Sequence, residues 1–249
     1  MATRARPREA AYRALARELR ADLLRNRYAG GRQLPTEAEL AERHGVSRQT
    51  VRRAFLDLVA DGMVERIPGR GTFAREPDGQ YLRQFGSVDD LMGLSIDTTM
   101  QVTSPLRRAV DVDAAGRLRL ANDMVYTLTF RRLHDGTPFC VTSVFLPPEV
   151  GEQFNGVREV TTAGATSSAT VIGLIDARLG DPIAEADQSI TVGTATAEVA
   201  AELGCNPGAA LLRVDRVYFD TRGRAVELAI SNFLPEHYSY RVRLHRSAT

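Results

Sequence analysis

The chain contains no lysine: all 32 basic residues among its 249 are arginine. That excludes a Walker-type phosphate loop, which needs GxxxxGK followed by Ser or Thr at the start of a helix. No apolar run approaches the roughly 18 residues that span a bilayer. The arginine-rich start, MATRARPREAAYRAL, lacks the continuous apolar stretch of a signal peptide. A cytoplasmic protein with no membrane partner is expected. Cysteine is scarce too. Cys140 and Cys205 have no CxxC or histidine neighbour at metal-ligand spacing and read as small packing residues. Paired carboxylates at usable spacing, a nucleophile elbow and a metal cluster are all missing. No catalytic residue, metal or cofactor is therefore expected, and His134 and His237 read as surface residues.

The charge that is present is unevenly spread. Residues 1–75 hold 16 Arg against 9 acids, a balance of +7, whereas 76–249 hold 16 Arg against 22 acids, a balance of −6. A positive head on a negative body is the footprint of a nucleic-acid-binding domain joined to something else.

The head reads as helices. Over 8–26, Tyr12, Leu15, Leu19 and Leu23 recur at three- and four-residue steps, and Gly30–Gly31 and Pro35 then break the pattern. Thr36 with Glu39 three residues on is a capping box, opening a short helix to about His44 that Gly45 stops. Ser47 caps a third helix ending at Gly62, so the pair forms a helix-turn-helix. On that third helix Val51, Ala54, Phe55 and Leu58 share a core face. Gln49, Arg52 and Arg53 lie largely opposite, with Arg48 at the N-terminal end. This suits either a major-groove reader or a solvated face. The next stretch favours the first. MVERI alternates as a strand, PGRG turns and TFAR returns, which makes a wing with Arg70 at its tip.

The stretch from LPTEAEL through GVSRQTVRRAF and on to GRGTFA resembles the winged helix-turn-helix of the GntR family of bacterial transcription regulators, in register over residues 11–74. The resemblance implies DNA contacts from Ser47, Arg48, Gln49 and Arg52 and, on the wing, from Arg70 and Gly71. Thr50 and Arg53 join them on helix geometry, and Thr36 completes the candidate set. Many members carry arginine after the LP-Thr/Ser-Glu glutamate, where this chain has Ala38.

REPDGQ at 75–80 is polar, with Pro and Gly. The expected organisation is a DNA-binding domain over 1–75, a linker over 76–81 and a second domain over 82–249. In the second domain DMVYTLTFRRLHDGTPFCVTSVFLP reads as a hairpin about a DG turn. TSSATVIGLIDARLG reads as a capped helix whose apolar face is Val171, Leu174, Ile175 and Leu179. DPIAEADQSITVG is a strand and TATAEVAAELG a helix. A second long hairpin turns at Arg222–Gly223, and a strand near YSYRVRL ends the chain. Long hairpins interleaved with helices indicate an α+β domain on an antiparallel sheet. Period two puts Arg131 and Arg132 on opposite faces. Glu227 sits in the apolar run AVELAI, where an acid is costly without a partner. Arg132 and Glu227 together fit either a polar small-molecule site or a structural ion pair.

This order resembles the UTRA effector-sensing domain of HutC-type GntR regulators, whose fold is like chorismate lyase. The likeness rests on the hairpin from Arg132 to Pro138, on LGCNPGAALLRVDRVYFD and on GRAVELAISNF. It implies an effector site lined by Ser87, Arg132, Glu227 and Phe233. Members that bind phosphorylated sugars commonly carry Arg-x-Arg, and Phe130 stands at the first of those positions, which implies a less anionic effector. The expected whole is a homodimeric repressor of a palindromic double-stranded operator, modulated by a small metabolite. The alternatives are a DNA-tethered lyase-like enzyme and a ligand-free architectural protein.

Overall fold

The computed structural model of the chain describes residues 11–25, 27–60, 62–75, 88–236 and 238, which fall into two compact units, Met1–Gly79 and Gln80–Thr249. The expected linker, Ser87, His237 and the strand expected near YSYRVRL (Tyr238 apart) lie outside the described residues.

The first unit contains α1 (Ala11–Leu24), α2 (Glu37–His44), α3 (Arg48–Ala60), β1 (Val64–Ile67) and β2 (Gly71–Ala74). Both halves of the capping box form. Glu39 N donates to Thr36 Oγ1 at 3.3 Å, and Thr36 N donates to Glu39 Oε2 at 2.8 Å. Gly45 ends α2 at φ 61°, a left-handed conformation that favours glycine. Leu15 and Leu19 of α1, Leu40 of α2 and Val51, Ala54, Phe55 and Leu58 of α3 close one core, with Leu23 partly buried against it. Tyr12 is only half-buried; its ring lies under the Arg53 guanidinium, 4.3 Å from the centroid.

The second unit is one antiparallel sheet with short helices against it. Its elements are α4 (Val88–Met92), β3 (Thr99–Val110), α5 (Val112–Arg117), β4 (Met124–His134), β5 (Thr137–Leu146), α6 (Pro148–Gly151), α7 (Arg158–Thr161), β6 (Thr166–Ser167), α8 (Val171–Asp176), β7 (Ile183–Thr194), α9 (Ala197–Leu203), β8 (Ala210–Asp220) and β9 (Ala225–Phe233). The seven strands run in the order β6-β3-β4-β5-β9-β8-β7. Both expected hairpins form. In the first, Asp135 and Gly136 both take positive φ, 47° and 79°, the backbone of a two-residue hairpin turn.

Sequence periodicity did not indicate β3. It carries Pro105, and its pairing with β4 is interrupted by two register shifts, between Val102 and Ser104 and between Ser104 and Arg107. Bulges accommodate a residue that cannot donate to the ladder. The expected helix beginning at TSSA is also shorter than read. Thr166 and Ser167 pair with β3, and Thr170 caps α8, accepting from Gly173 N at 3.1 Å. Val171 and Ile175 are buried, while Leu174 and Leu179 pack partly buried against the same core.

The two faces of the sheet bury different partners. One face, with Tyr126, Leu128, Phe130, Val144, Leu146, Ala229 and Phe233, packs with Leu91, Val150, Val160, Val171 and Ile175. On the other face, Val141 and Leu211 meet α9, while Val125 and Leu228 meet α5. Arg131 and Arg132 divide between these faces as period two requires.

Candidate nucleic-acid interface and effector cavity

In the first unit the apolar side of α3 is fixed in the core, and its first turn points Arg48 and Gln49 into solvent. The Ser47 hydroxyl accepts from Thr50 N at 3.1 Å and lies 2.8 Å from Thr50 Oγ1. The hydroxyls of Thr36 and Ser47 thus cap helices while remaining exposed. Arg52 is exposed yet directed: its Nη2 donates to Glu37 Oε2 at 3.2 Å. Arg66 of the wing donates to the other oxygen of the same carboxylate. Partial burial pushes the Glu37 carboxyl up, but the hydrogen bonds from Arg66 and Arg52 outweigh it and hold the group below its usual range. Arg53, grouped with the DNA-facing residues by helix geometry, is instead turned over the Tyr12 ring.

The wing turns through Pro68, Gly69 and Arg70. Arg70 N donates to Ile67 O at 3.0 Å, Gly69 takes φ 74°, and the Arg70 side chain is exposed at the tip. Gly71 has φ 118°, and a methyl there would run into the Gln33 side chain. Gln33 pairs with Phe73, and Leu34 N donates to Thr72 O at 2.8 Å, so the chain ahead of α2 is stitched to the wing. Sequence reading passed over both Glu37 and this seam; the acid two residues ahead of Glu39 was the available signal.

In the second unit a cavity of about 60 Å³ lies on the face that carries Phe130 and Arg132. Strand register explains its composition. Arg132 pairs with Cys140 and Cys140 with Phe233; Thr142 pairs with Ser231; Glu227 pairs with Tyr218. Arg132, Thr142, Thr170, Arg216, Glu227 and Ser231 all line the cavity and are buried. Arg132 donates to Thr98 Oγ1 at 2.7 Å and to the Ala169 carbonyl at 3.1 Å, and lies 5.6 Å from the Phe130 ring centre. The Thr142 and Ser231 hydroxyls are 2.9 Å apart. Arg216 Nε donates to Gln188 Oε1 at 2.6 Å. Phe233 stacks on Tyr238 at 3.9 Å.

Three of the four candidate effector residues, Arg132, Glu227 and Phe233, therefore share one cavity; Ser87 is outside the described residues. Arg132 and Glu227 do not form an ion pair. Desolvation dominates at Glu227 and pushes its carboxyl up to about 8, and the cation that partly offsets this is Arg216. Its Oε2 is buried without a hydrogen-bond partner among the described residues. Burial likewise pushes the Cys140 thiol up to about 11, which leaves it an inert wall group. Sequence reading missed Arg216, Tyr218, Thr142 and Ser231. His134, expected at the surface, is half-buried, with Nδ1 3.0 Å from the Asp97 carbonyl oxygen.

Residues 11–74 match the bacterial regulatory proteins of the gntR family, and residues 94–239 match the UTRA domain. The chain belongs to the gntR family. This GntR regulator is 31% identical over 241 residues to the HTH-type transcriptional regulator Rv0792c of Mycobacterium tuberculosis, covering 94% of this chain and 85% of that one. It is 27% identical over 215 residues to the HTH-type transcriptional repressor NagR of Bacillus subtilis, covering 83% of each. Among solved structures it resembles YydK of Bacillus subtilis, with a TM-score of 0.58, 20% identity and coverage of 95% of this chain and 100% of that one. It also resembles PhnF of Mycobacterium smegmatis, with a TM-score of 0.54, 24% identity and coverage of 95% and 99%. Those two likenesses speak to the fold alone. Family membership places the GntR protein among effector-modulated, DNA-binding transcription regulators and not among enzymes. No helix among the described residues is long and apolar enough to cross a membrane.

Proposed function

We propose that the chain is a cytoplasmic homodimeric repressor. Two winged helices would occupy operator half-sites about one helical turn apart, and a metabolite in the sheet cavity would set their affinity for DNA. The observation that carries this reading is α3 itself: a helix anchored on its apolar face that presents Arg48 and Gln49 from its exposed first turn, in the same unit as Arg70 at the wing tip. Arginine reads guanine and glutamine reads adenine in the major groove. Ser47, Thr50, Arg52 and Gly71 complete the contact set, with Thr36 beside them. Arg53 is a weaker member, because its guanidinium is engaged on Tyr12. The repressor assignment draws on two relatives named as transcriptional repressors, NagR and the probable fructoselysine utilization operon repressor of Escherichia coli, each 27% identical to this chain. The working domains are residues 1–75, a linker over 76–81 and residues 82–249. Arg132, Glu227 and Phe233 form the effector site, joined by Ser87.

An Arg48→Ala protein is expected to keep its fold and its effector affinity while specific operator affinity falls about ten- to hundred-fold. Electrophoretic mobility shift against operator and scrambled DNA reads this directly. Unimpaired operator binding by that variant would overturn the assignment.

A further inference from the structure

Glu37 is an acid on a surface that the reading of α3 as a groove-reading helix assigns to DNA, where a lone carboxylate repels phosphate. It opens α2, and its two oxygens take guanidiniums from two other elements. Arg52 of α3 approaches through two nitrogens, with Nε 3.5 Å from Oε1 and Nη2 3.2 Å from Oε2. Arg66 of β1 donates to Oε1. The nesting is one-sided: the Glu37 side chain is 18% exposed, those of Arg52 and Arg66 56% and 48%. The acid lies beneath, and both cations face solvent.

These ion pairs are not what holds the elements together. Val51, Ala54, Phe55 and Leu58 anchor α3, and Val64 anchors β1 in the same core. The wing is also tied to the chain ahead of α2 through the bond from Leu34 N to Thr72 O. Exposed pairs add little to stability. What the carboxylate does is restrict two long side chains. A two-nitrogen contact sets the plane of the Arg52 guanidinium and leaves its Nη1 without a partner among the described residues.

We propose that Glu37 is a specificity-determining residue of DNA recognition, which aims Arg52 and Arg66 together, and that Arg66 is a phosphate contact of the operator complex. Arg66 stands one carboxylate away from Arg52, so a duplex that meets the first turns of α3 also meets the base of the wing. Phosphate contacts set the register of a protein on its duplex, and base contacts carry the sequence. Holding Arg66 and Arg52 on one anchor ties that register to the reading helix. The same acid weakens attraction for DNA in general, because non-specific binding follows the number of phosphates neutralised. Unclamped arginines follow any phosphate; clamped ones engage a backbone presented in register with α3.

The test is a set of fluorescence-anisotropy titrations of the full chain over a range of salt. The probes are the duplex that the parent selects from a randomised library and a scrambled duplex of the same composition. Glu37→Gln keeps the size of the side chain and removes its charge. It should tighten scrambled DNA about three-fold or more, steepen the salt slope by about one, and lower the selected-to-scrambled affinity ratio about ten-fold. Arg66→Ala should weaken binding to both duplexes about three- to ten-fold and reduce each slope by about one. Both variants should melt as the parent does, whereas a merely structural acid would lower the melting temperature and both affinities together. That joint loss, an unchanged ratio in Glu37→Gln, or parental affinity and slope in Arg66→Ala would each overturn the proposal. Arg48→Ala separates it from the reading on which it rests. If Arg48→Ala loses the selected duplex while the other two variants behave as the parent, α3 remains the reading helix and only the roles of Glu37 and Arg66 fall. If Arg48→Ala binds that duplex as the parent does, or the parent selects no sequence, both fall.

Discussion

Glu37 shows how one carboxylate organises a surface at the scale of single residues. It holds Arg52 of the recognition helix and Arg66 of the wing at once. Exposed pairs of this kind contribute little to stability; their effect is to fix where two cations point. The opposite case is Glu227, whose burial dictates its protonation. Its carboxyl is raised to about 8 in the folded chain, from an ordinary value of 4.5. The fold therefore retains a proton that the unfolded chain releases as pH rises through that window. Its contribution to stability is full below about 4.5, declines as pH climbs and is lost above about 8. Arg216 and Tyr218 are the charged and titratable neighbours that act with it. Glu227→Gln, which cannot ionise, should flatten this decline and be more stable than the parent above pH 8 by at most a few kcal/mol. Thermal melts across the pH range check it.

At the scale of elements, tight packing is most exposed to test where α6 meets β4. A methyl on Gly151 would overlap the Tyr126 ring. Gly151→Ala should destabilise the second unit by about 1–3 kcal/mol, read by denaturant unfolding, while leaving the first unit's transition in place. Elements were legible in the sequence where local chemistry decides them. The Thr36 capping box, the stops at Gly45 and Gly62 and the DG turn each act within a few residues. Strand β3 was not legible, because Pro105 and the Arg107–Arg108 pair break its alternation and long-range pairing, with β4 and β6, makes it a strand. The TSSA stretch failed for the same reason: its hydroxyls read locally as caps, but β3 captured Thr166 and Ser167. In the cavity, Arg132 and Glu227 stood out as costly charges in apolar strands. Arg216 did not, since VDRVYFD alternates like a half-solvated strand, and only packing beside β9 decides which face turns inward.

At the scale of the whole molecule, charge is divided by function. The +7 balance of residues 1–75 and the −6 of the remainder assign attraction to DNA to the first unit alone. Operator affinity should fall steeply with salt. Thermodynamic reciprocity adds a second requirement: if effector changes operator affinity by some factor, saturating operator must change effector affinity by the same factor. Paired titrations on one preparation measure both, and unequal factors would show that the two sites are not linked by binding alone. The means of linkage is suggested by two neighbours on β4. Arg132 grips the cavity wall at Thr98 and Ala169, while Arg131 holds Gln101 at 2.8 Å and Glu202 of α9 at 3.5 Å on the far side of the sheet. One peptide bond separates them. The cavity wall and α9 are thus held by adjacent residues of one strand, through opposite faces of the sheet.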